Sequence, residues 1–383
     1  MTSRILAIET AVPETVLSQD RARDLLAGQP GRSRLGERLT RAAFDASNIA
    51  TRRTVLGELA HGGSTPFLDD EVVLPASTGT RNALYAREAP ALSIAAARRA
   101  LDAAGVRPDE VTHVVTVSCT GFVSPGPDLA LVKALGLPVT TARLHVGFMG
   151  CCGAFPALRA ADAACAADPD AVVLVVCVEL CTLHLGASDD PEQIVAMSLF
   201  GDGAAAAVVA ARDSDSATLE LDAFLTSVLP DSIDEMTWTI GDQGFVMRLS
   251  AQVPAHLGSG IRDALAPLLS DSADAGSRGD AGSAGSASSA GTAAIDAWAV
   301  HPGGRAILDR VEEGLALPAG ALADSRAVMA EFGNMSSGTV LFVLRRMLHG
   351  GVEGRVCAMA FGPGLTLEAA TLVAHPAPAK DAA

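Results

Sequence analysis

Cys151 stands where a thiol can act as a nucleophile. It follows the apolar run Arg143–Val146 and the turn Gly147-Phe148-Met149-Gly150, and it precedes a helical pattern over Phe155–Ala167. The positive end of a helix and its free N–H groups favour thiolate, and the preceding glycine lets a substrate approach the backbone. Cys152 is the rival, and a small core hydrophobe is the competing reading for either. Cys165, Cys177, Cys181 and Cys357 lie in or beside apolar runs and read as core. His301 follows the run Ala297–Val300 and leads into Pro302-Gly303-Gly304. Strand ends are where α/β enzymes place catalytic groups, although a structural histidine fits there equally. Asn334 precedes a helical pattern, where a routine N-cap is the alternative. Gly362-Pro363-Gly364 separates two strand-like runs, as a hairpin turn or as a smooth backbone wall for a substrate.

Groups so far apart in the chain need a rigid scaffold. Ile5–Ile8, His113–Val117, Ala171–Val178 and Ala204–Ala210 read as strands, and Gln19–Leu26, Ala91–Ala104 and Asp128–Leu135 as helices. Positions 29–43, rich in Arg and Gly, read as a mobile, exposed segment. Strands alternating with helices predict parallel pairing and a layered α/β fold. A second pass of similar rhythm begins near Leu219. It has helices over Val253–Leu269, Gly304–Gly314 and Thr339–Met347, and strands over Ala297–Val300, Arg355–Ala360 and Thr366–Ala374. The chain therefore divides into halves 1–215 and 216–383. Residues 271–292, almost wholly Ser, Gly, Ala and Asp, have a linker's composition and read as a flexible surface insertion. The tail from Pro376 reads as disordered.

Composition narrows the function. The 383 residues carry a formal charge of −16, with 49% hydrophobic and 19% charged side chains. That describes a globular chain and argues against general nucleic-acid binding, which needs clustered cations. Aromatics are only 4%, so Ala, Val and Leu must build the core. Seven cysteines, an odd number without C-x-x-C spacing, argue against a disulfide framework or a zinc site. No signal peptide or membrane-spanning run is visible, and reduced thiols fit the cytoplasm.

In the order Cys, His, Asn, Gly-Pro-Gly, these motifs resemble the type III polyketide synthases, the chalcone synthase superfamily. The matching strings are Gly150-Cys151, Leu199-Phe200-Gly201-Asp202-Gly203-Ala204-Ala205, His301 through Asp309, Gly333-Asn334-Met335-Ser336-Ser337 and Phe361-Gly362-Pro363-Gly364. The resemblance implies a thiolase fold, two βαβαβαββ-like halves in a five-layered αβαβα arrangement, and a homodimer. It makes Cys151 the nucleophile that takes an acyl group from coenzyme A. It makes His301 and Asn334 the pair on the malonyl thioester carbonyl, with His301 also pairing with Cys151 to hold it as thiolate. Acyl-CoA and malonyl-CoA are then the substrates, with no metal or redox cofactor.

The same resemblance puts Phe200 at an aromatic gate and Met247 at a second gate, where plant members often carry Phe. Cys119, Thr120, Cys181, His184 and Ser336 fall on cavity-lining positions, and Gly362, Pro363 and Gly364 on the substrate wall. Ser118-Cys119-Thr120-Gly121-Phe122 and Cys177 through His184 look like bacterial enzymes that make alkylpyrones and alkylresorcinols from fatty acyl starters. Ser124 replaces a methionine that in plant members reaches into the neighbouring subunit. Coenzyme A requires a local basic patch on an acidic protein, and Arg38, Arg41, Arg52 and Arg53 are its candidates. Two alternatives have the same ordered residues: a ketoacyl-carrier-protein synthase of the initiating class, whose histidine motif usually has Gln-Ala-Asn where Pro302-Gly303-Gly304 stands, and a non-catalytic thiolase-fold subunit.

Overall fold

The computed structural model describes residues 2–250, 252–274, 292 and 294–378. Its main elements in chain order are β1 (Arg4–Ala11), α1 (Gln19–Ala27), α2 (Arg34–Ala46), α3 (Thr78–Ala104), β2 (His113–Ser118), α4 (Pro127–Leu135), β3 (Ala142–Gly147), α5 (Ala154–Ala167), β4 (Val172–Leu180), α6 (Pro191–Leu199) and β5 (Asp202–Ala210). There follow β6 (Thr218–Val228), β7 (Met236–Gly241), β8 (Gly244–Leu249), α7 (Val253–Asp274), β9 (Ala297–Val300), α8 (Arg305–Leu315), α9 (Ala323–Phe332), α10 (Thr339–His349), β10 (Gly354–Gly362) and β11 (Thr366–His375). Nine strands join in the order β9-β10-β11-β6-β1-β5-β4-β2-β3.

The sheet repeats one plan. In the first half β1–β5 and β5–β4 are antiparallel and β4–β2 and β2–β3 parallel. In the second, β6–β11 and β11–β10 are antiparallel and β10–β9 parallel. The halves meet where β1 pairs with β6 at Arg4↔Glu220 and Ile5↔Leu219.

Strand alternation sorts side chains into layers. On β4, Val172, Leu174, Val176 and Val178 join a core with Ala89, Ala96, Ala97 and Ala100 of α3, whereas Val173, Val175 and Cys177 join another with α5 and α10. On β10, Val356, Ala358 and Ala360 face that second core, and Cys357, Met359 and Phe361 face a third under α7 and α8. Helix, sheet, helix pair, sheet and helix pair thus make five layers, as the resemblance implied. Runs buried on both faces explain why these strands read as continuous apolar stretches.

Two expectations are corrected. Residues 34–46 are helix α2 rather than part of a mobile segment: Ser33 caps it by accepting from the Gly36 N–H at 2.9 Å, and Gly36, Thr40 and Phe44 are buried at four-residue spacing. Arg and Gly content hid that stripe. Helix α3 begins at Thr78, capped by Ser77, and runs through Pro90 rather than starting after it. Beyond Asp274, the insertion read at 271–292 lies outside the described residues except for Thr292, as does the tail beyond Pro378.

Alanine permits the close approach of α3 to β1 and β5, where Ala97, Ala204 and Ala206 are fully buried. Ala97→Leu is therefore expected to destabilise the fold by about 1–3 kcal/mol through overpacking. Denaturant unfolding should show a lower midpoint; an unchanged midpoint would contradict this account of the layer spacing.

Candidate active site

Cys151 lies in a tight 3₁₀ turn, Gly150–Cys152, just ahead of α5. Gly150 has φ +61°, and a Cβ there would stand 2.7 Å from Pro363 Cδ. A Cβ at Gly153 would stand 2.7 Å from Val117 Cγ1. Both glycines thus let the cysteine turn press between the end of β2 and the Gly-Pro-Gly turn. The adjacent cysteines face different layers. Cys151 joins the third core with Cys181 and Phe200, whereas Cys152 joins the middle core and donates to the Met149 carbonyl at 3.1 Å.

The surroundings of Cys151 oppose the expected thiolate. Cys151 is only 4% exposed, and burial pushes its thiol up to about 11 despite hydrogen bonds from Ser336 and Asn334. Nor does His301 form an ion pair with it. His301 follows β9, its N–H bound to the Met359 carbonyl at 2.8 Å. The ring is 1% exposed with no hydrogen-bond partner on either nitrogen, and burial pushes it down to about 3. Burial thus disfavours the charged form of both groups. A side chain at Gly303 would stand 3.7 Å from His301 Nε2, so glycine there leaves that edge of the ring uncrowded.

Asn334 is set by backbone. Its N–H donates to the Leu199 carbonyl and its carbonyl accepts from the Gly201 N–H, both at 2.9 Å, forming a bridge beside Phe200. Its Oδ1 accepts from the Ser336 N–H at 2.8 Å, which orients the amide. Nδ2 is left facing Cys151 Sγ at 3.7 Å. Asn334 is thus an orienting loop residue with a donor aimed at the thiol rather than a cap on α10, where Gly338 takes that position without a side-chain bond.

Glu179, at the end of β4, went without a role in the sequence reading. Its fully buried carboxylate accepts from Cys119 N (3.0 Å), Thr120 Oγ1 (2.8 Å), Ser118 Oγ (3.3 Å), Cys119 Sγ (3.5 Å) and Ser337 Oγ (2.5 Å). Burial raises its pKa while these donors oppose the rise. The usable signal was a lone acid in an unbroken apolar strand, because a buried carboxylate demands partners. Cys119 Sγ also lies 3.2 Å from Ser336 Oγ, and burial raises the Cys119 and Cys181 thiols well above their ordinary range.

Cys119, Thr120, Cys151, Cys181, Ser336 and Pro363 surround an inner space of about 10 Å³, little more than one water. Gly362 packs behind it against Cys152, and Gly364, at φ +69°, completes the hairpin turn. Phe200, Trp238, Met247 and Cys181 border both this space and an outer cavity of about 440 Å³ that Arg81 and His184 also line. Trp238, cross-strand partner of Met247, was missed by sequence reasoning; its Nε1 donates to the Cys119 carbonyl at 2.7 Å. As one of two tryptophans in a chain poor in aromatics, it offered a signal. His184 stacks on Phe245, with Nε2 2.8 Å from the Thr120 carbonyl and Nδ1 accepting from the Phe245 N–H at 3.0 Å. Burial lowers its pKa to about 4, so it is a neutral clamp.

A separate apolar groove of about 310 Å³ runs between α2, α6 and the start of α8, lined among others by Ala43, Ala46, Val195, Gly303, Gly304 and Arg305. The four candidate arginines do not gather there as a patch. Arg38 is exposed on α2, Arg41 pairs with Asp24 (2.8 Å) and Glu37 (3.2 Å), and Arg53 donates to the Glu14 carbonyl at 3.3 Å. Arg52 is 0% exposed, which corrects its reading as a surface contact. Its Nη1 donates to the Met197 and Phe200 carbonyls at 2.8 Å. Among the described residues, no group of three His, Cys, Asp or Glu could hold a metal, and no helix is long and apolar enough to cross a membrane.

Comparison with known proteins agrees on one family. Residues 2–213 match the N-terminal domain of chalcone and stilbene synthases, and residues 220–376 match the C-terminal domain. The alpha-pyrone synthesis polyketide synthase-like Pks18 of Mycobacterium tuberculosis is 32% identical over 375 residues, covering 95% of this chain and 89% of that protein. The 1,3,6,8-tetrahydroxynaphthalene synthase of Streptomyces coelicolor is 34% identical over 292 residues, covering 75% of this chain and 73% of its own. The crystal structure of the C-terminal type III polyketide synthase domain of Steely1 from Dictyostelium superposes with a TM-score of 0.86 at 27% identity, covering 97% of this chain and 99% of that one.

The opposed facing of the two cysteines gives a direct test. Incubation with an acyl-CoA should acylate wild type and Cys152→Ala but not Cys151→Ala, as read by intact mass; the reverse pattern would overturn the assignment. Glu179→Ala should cost about 2–4 kcal/mol in denaturant unfolding, because it strands a buried N–H and several hydroxyls.

Proposed function

The chain belongs to the chalcone and stilbene synthase family, has its thiolase-like fold and is a type III polyketide synthase; on that premise we propose residue roles and a product class. The observation that carries the roles is the donor Asn334 Nδ2 held 3.7 Å from Cys151 Sγ, alongside the buried imidazole of His301 at the end of β9, which has no hydrogen-bond partner among the described residues.

Cys151 attacks the thioester carbonyl of an acyl-CoA. His301, neutral in the resting site, takes the thiol proton and returns it to the departing coenzyme A thiolate, leaving the acyl group on Sγ. Malonyl-CoA then binds with its thioester carbonyl toward Asn334 Nδ2 and the His301 N–H. Its C–CO₂⁻ bond breaks, carbon dioxide leaves, and the electron pair forms an enolate stabilised by the two donors. The enolate carbon attacks the acyl thioester, a C–C bond forms, and Cys151 leaves as thiolate. The lengthened chain, now on coenzyme A, returns to Cys151. A low dielectric strengthens both donors and discourages hydrolysis.

Members of the family use coenzyme A thioesters without a further cofactor. The apolar groove between α2, α6 and α8 suits the pantetheine arm, with Arg305 on its border and Arg38 on α2 for the phosphates. The growing chain passes Phe200, Met247 and Trp238 toward the outer cavity. The name of the mycobacterial relative refers to alpha-pyrone synthesis. That likeness and the Cys119 and Cys181 motifs support a fatty acyl starter and an alkylpyrone or alkylresorcinol product. The seven unpaired thiols support a reducing, cytoplasmic setting.

A homodimer is the proposed assembly. Among the described residues strand β3 ends the nine-stranded sheet unpaired on its outer side, and Leu144 on it is 48% exposed. An open strand edge with an exposed leucine invites a second copy. Light scattering should show a dimer for wild type and a shift toward monomer for Leu144→Lys; a monomeric wild type would refute the assembly.

The function is tested by mixing the protein with a series of acyl-CoA starters and malonyl-CoA. Carbon dioxide release and pyrone or resorcinol products are expected without acyl carrier protein. Asn334→Ala should lower malonyl decarboxylation by about 10²–10³-fold. Strict dependence on carrier protein, with one condensation, would overturn the proposal.

A further inference from the structure

Arg52 spends its charge in a place no phosphate can reach. It belongs to a short strand, Thr51–Arg53, paired with Val16–Ser18. The side chain is fully buried over the Phe44 ring at 5.3 Å. Nη1 binds the carbonyls of Met197, in the last turn of α6, and of Phe200, at its C-cap. A cation there satisfies carbonyls that the helix leaves open and opposes the negative end of its dipole. Nε and Nη2 have no partner among the described residues, although both are buried. An unpaired buried polar group is costly, so packing alone gives no reason to keep an arginine here.

What the guanidinium holds is the segment that carries the site. Phe200 supplies a side chain to the wall of the inner space, and its backbone neighbours, Leu199 and Gly201, clasp Asn334. The loop preceding Asn334 also rests on the arginine: a Cβ at Gly333 would stand 3.0 Å from Arg52 Cγ and 2.7 Å from the Leu199 carbonyl. Gly201 is also confined: a Cβ there would stand 2.7 Å from the Phe332 carbonyl and 3.4 Å from Arg52 Cβ. On the other side Ala50 donates to the Ala330 carbonyl at 2.8 Å, and Thr51 Oγ1 to that of Glu331 at 2.7 Å. Three strands of backbone are thus stacked, around 52, 200 and 334, and Nη1 of Arg52 ties down the middle one.

We propose that Arg52 is a positioning residue for decarboxylation, setting the Asn334 donor through the Phe200 backbone. The assignment rests on the role proposed above for Asn334. Cys151 is positioned independently, by Gly150, Gly153 and Pro363, so the two chemical steps respond differently to a change at Arg52.

Arg52→Lys keeps a cation in the enclosure but loses the rigid planar group that sets Nη1 on both carbonyls, and Arg52→Met removes the charge at similar volume. Arg52→Lys is expected to lower malonyl-CoA decarboxylation about tenfold or more, because a small misplacement of a positioned donor is costly. Acylation of Cys151 by acyl-CoA, followed by intact mass, should change by less than about twofold. Arg52→Met should show the same split more strongly. In a Trp298→Phe background, Trp238 is the remaining tryptophan and its ring lies 6.5 Å from that of Phe200. Its acrylamide quenching should rise in Arg52→Lys, whatever the catalytic rates. Equal loss of both steps, unchanged decarboxylation or unchanged quenching would overturn the assignment. So would failure of Arg52→Lys to fold, which would make Arg52 part of the scaffold alone. A wild type that releases no carbon dioxide would refute the proposed function instead, and the quenching comparison would still judge the hold of Arg52 on Phe200.

Discussion

Glu179 ends a strand whose every residue is buried, and its carboxylate takes donors from both halves of the chain. Ser118 ends β2, Cys119 and Thr120 follow it, and Ser337 comes from the loop that carries Asn334. An unpaired carboxylate at this depth would cost far more than one hydrogen bond contributes, so these groups are held where the acid requires them. The inner space inherits its shape from that constraint. Cys119 and Ser336 touch across it at 3.2 Å, and Trp238 is tied to the Cys119 carbonyl.

The five layers supply the distances that this arrangement needs. Small residues line the closest approaches: alanines between α3 and the first half-sheet, and glycines at the cysteine turn. The low aromatic content is then a consequence of close layering. The few aromatics concentrate where a wall is wanted, with His184, Phe245 and Trp238 packed against one another beside Phe200.

Burial weighs against charge on the two reactive side chains. It raises the Cys151 thiol and lowers the His301 imidazole, which disfavours thiolate and imidazolium alike. A neutral imidazole can accept a proton and then donate one, and it offers an N–H to a developing enolate. The acidity of the chain stays at the surface, where ion pairs such as Arg41–Asp24 and Arg355–Asp222 absorb much of the basic complement. That is why a count of arginines in sequence located no substrate patch: their partners decide which are free.

The sequence by itself determined which groups could react and in what order they occur. Cys151, His301, Asn334 and the Gly-Pro-Gly turn are legible because they break apolar periodicity at strand and helix ends. Alternating strands and helices likewise disclosed two similar halves. Tertiary structure decided the rest, because direction and burial are not local properties. It separated Cys151 from Cys152 by the layer each faces, made α2 a helix through a stripe hidden among Arg and Gly, and raised a thiol that the helix dipole alone would have lowered. It also moved Arg52 from a surface contact to the interior behind Phe200. Glu179 and Trp238 entered the site only because residues far apart in sequence enclose them, and the field and hydrogen bonds of that enclosure exist only once the layers have closed.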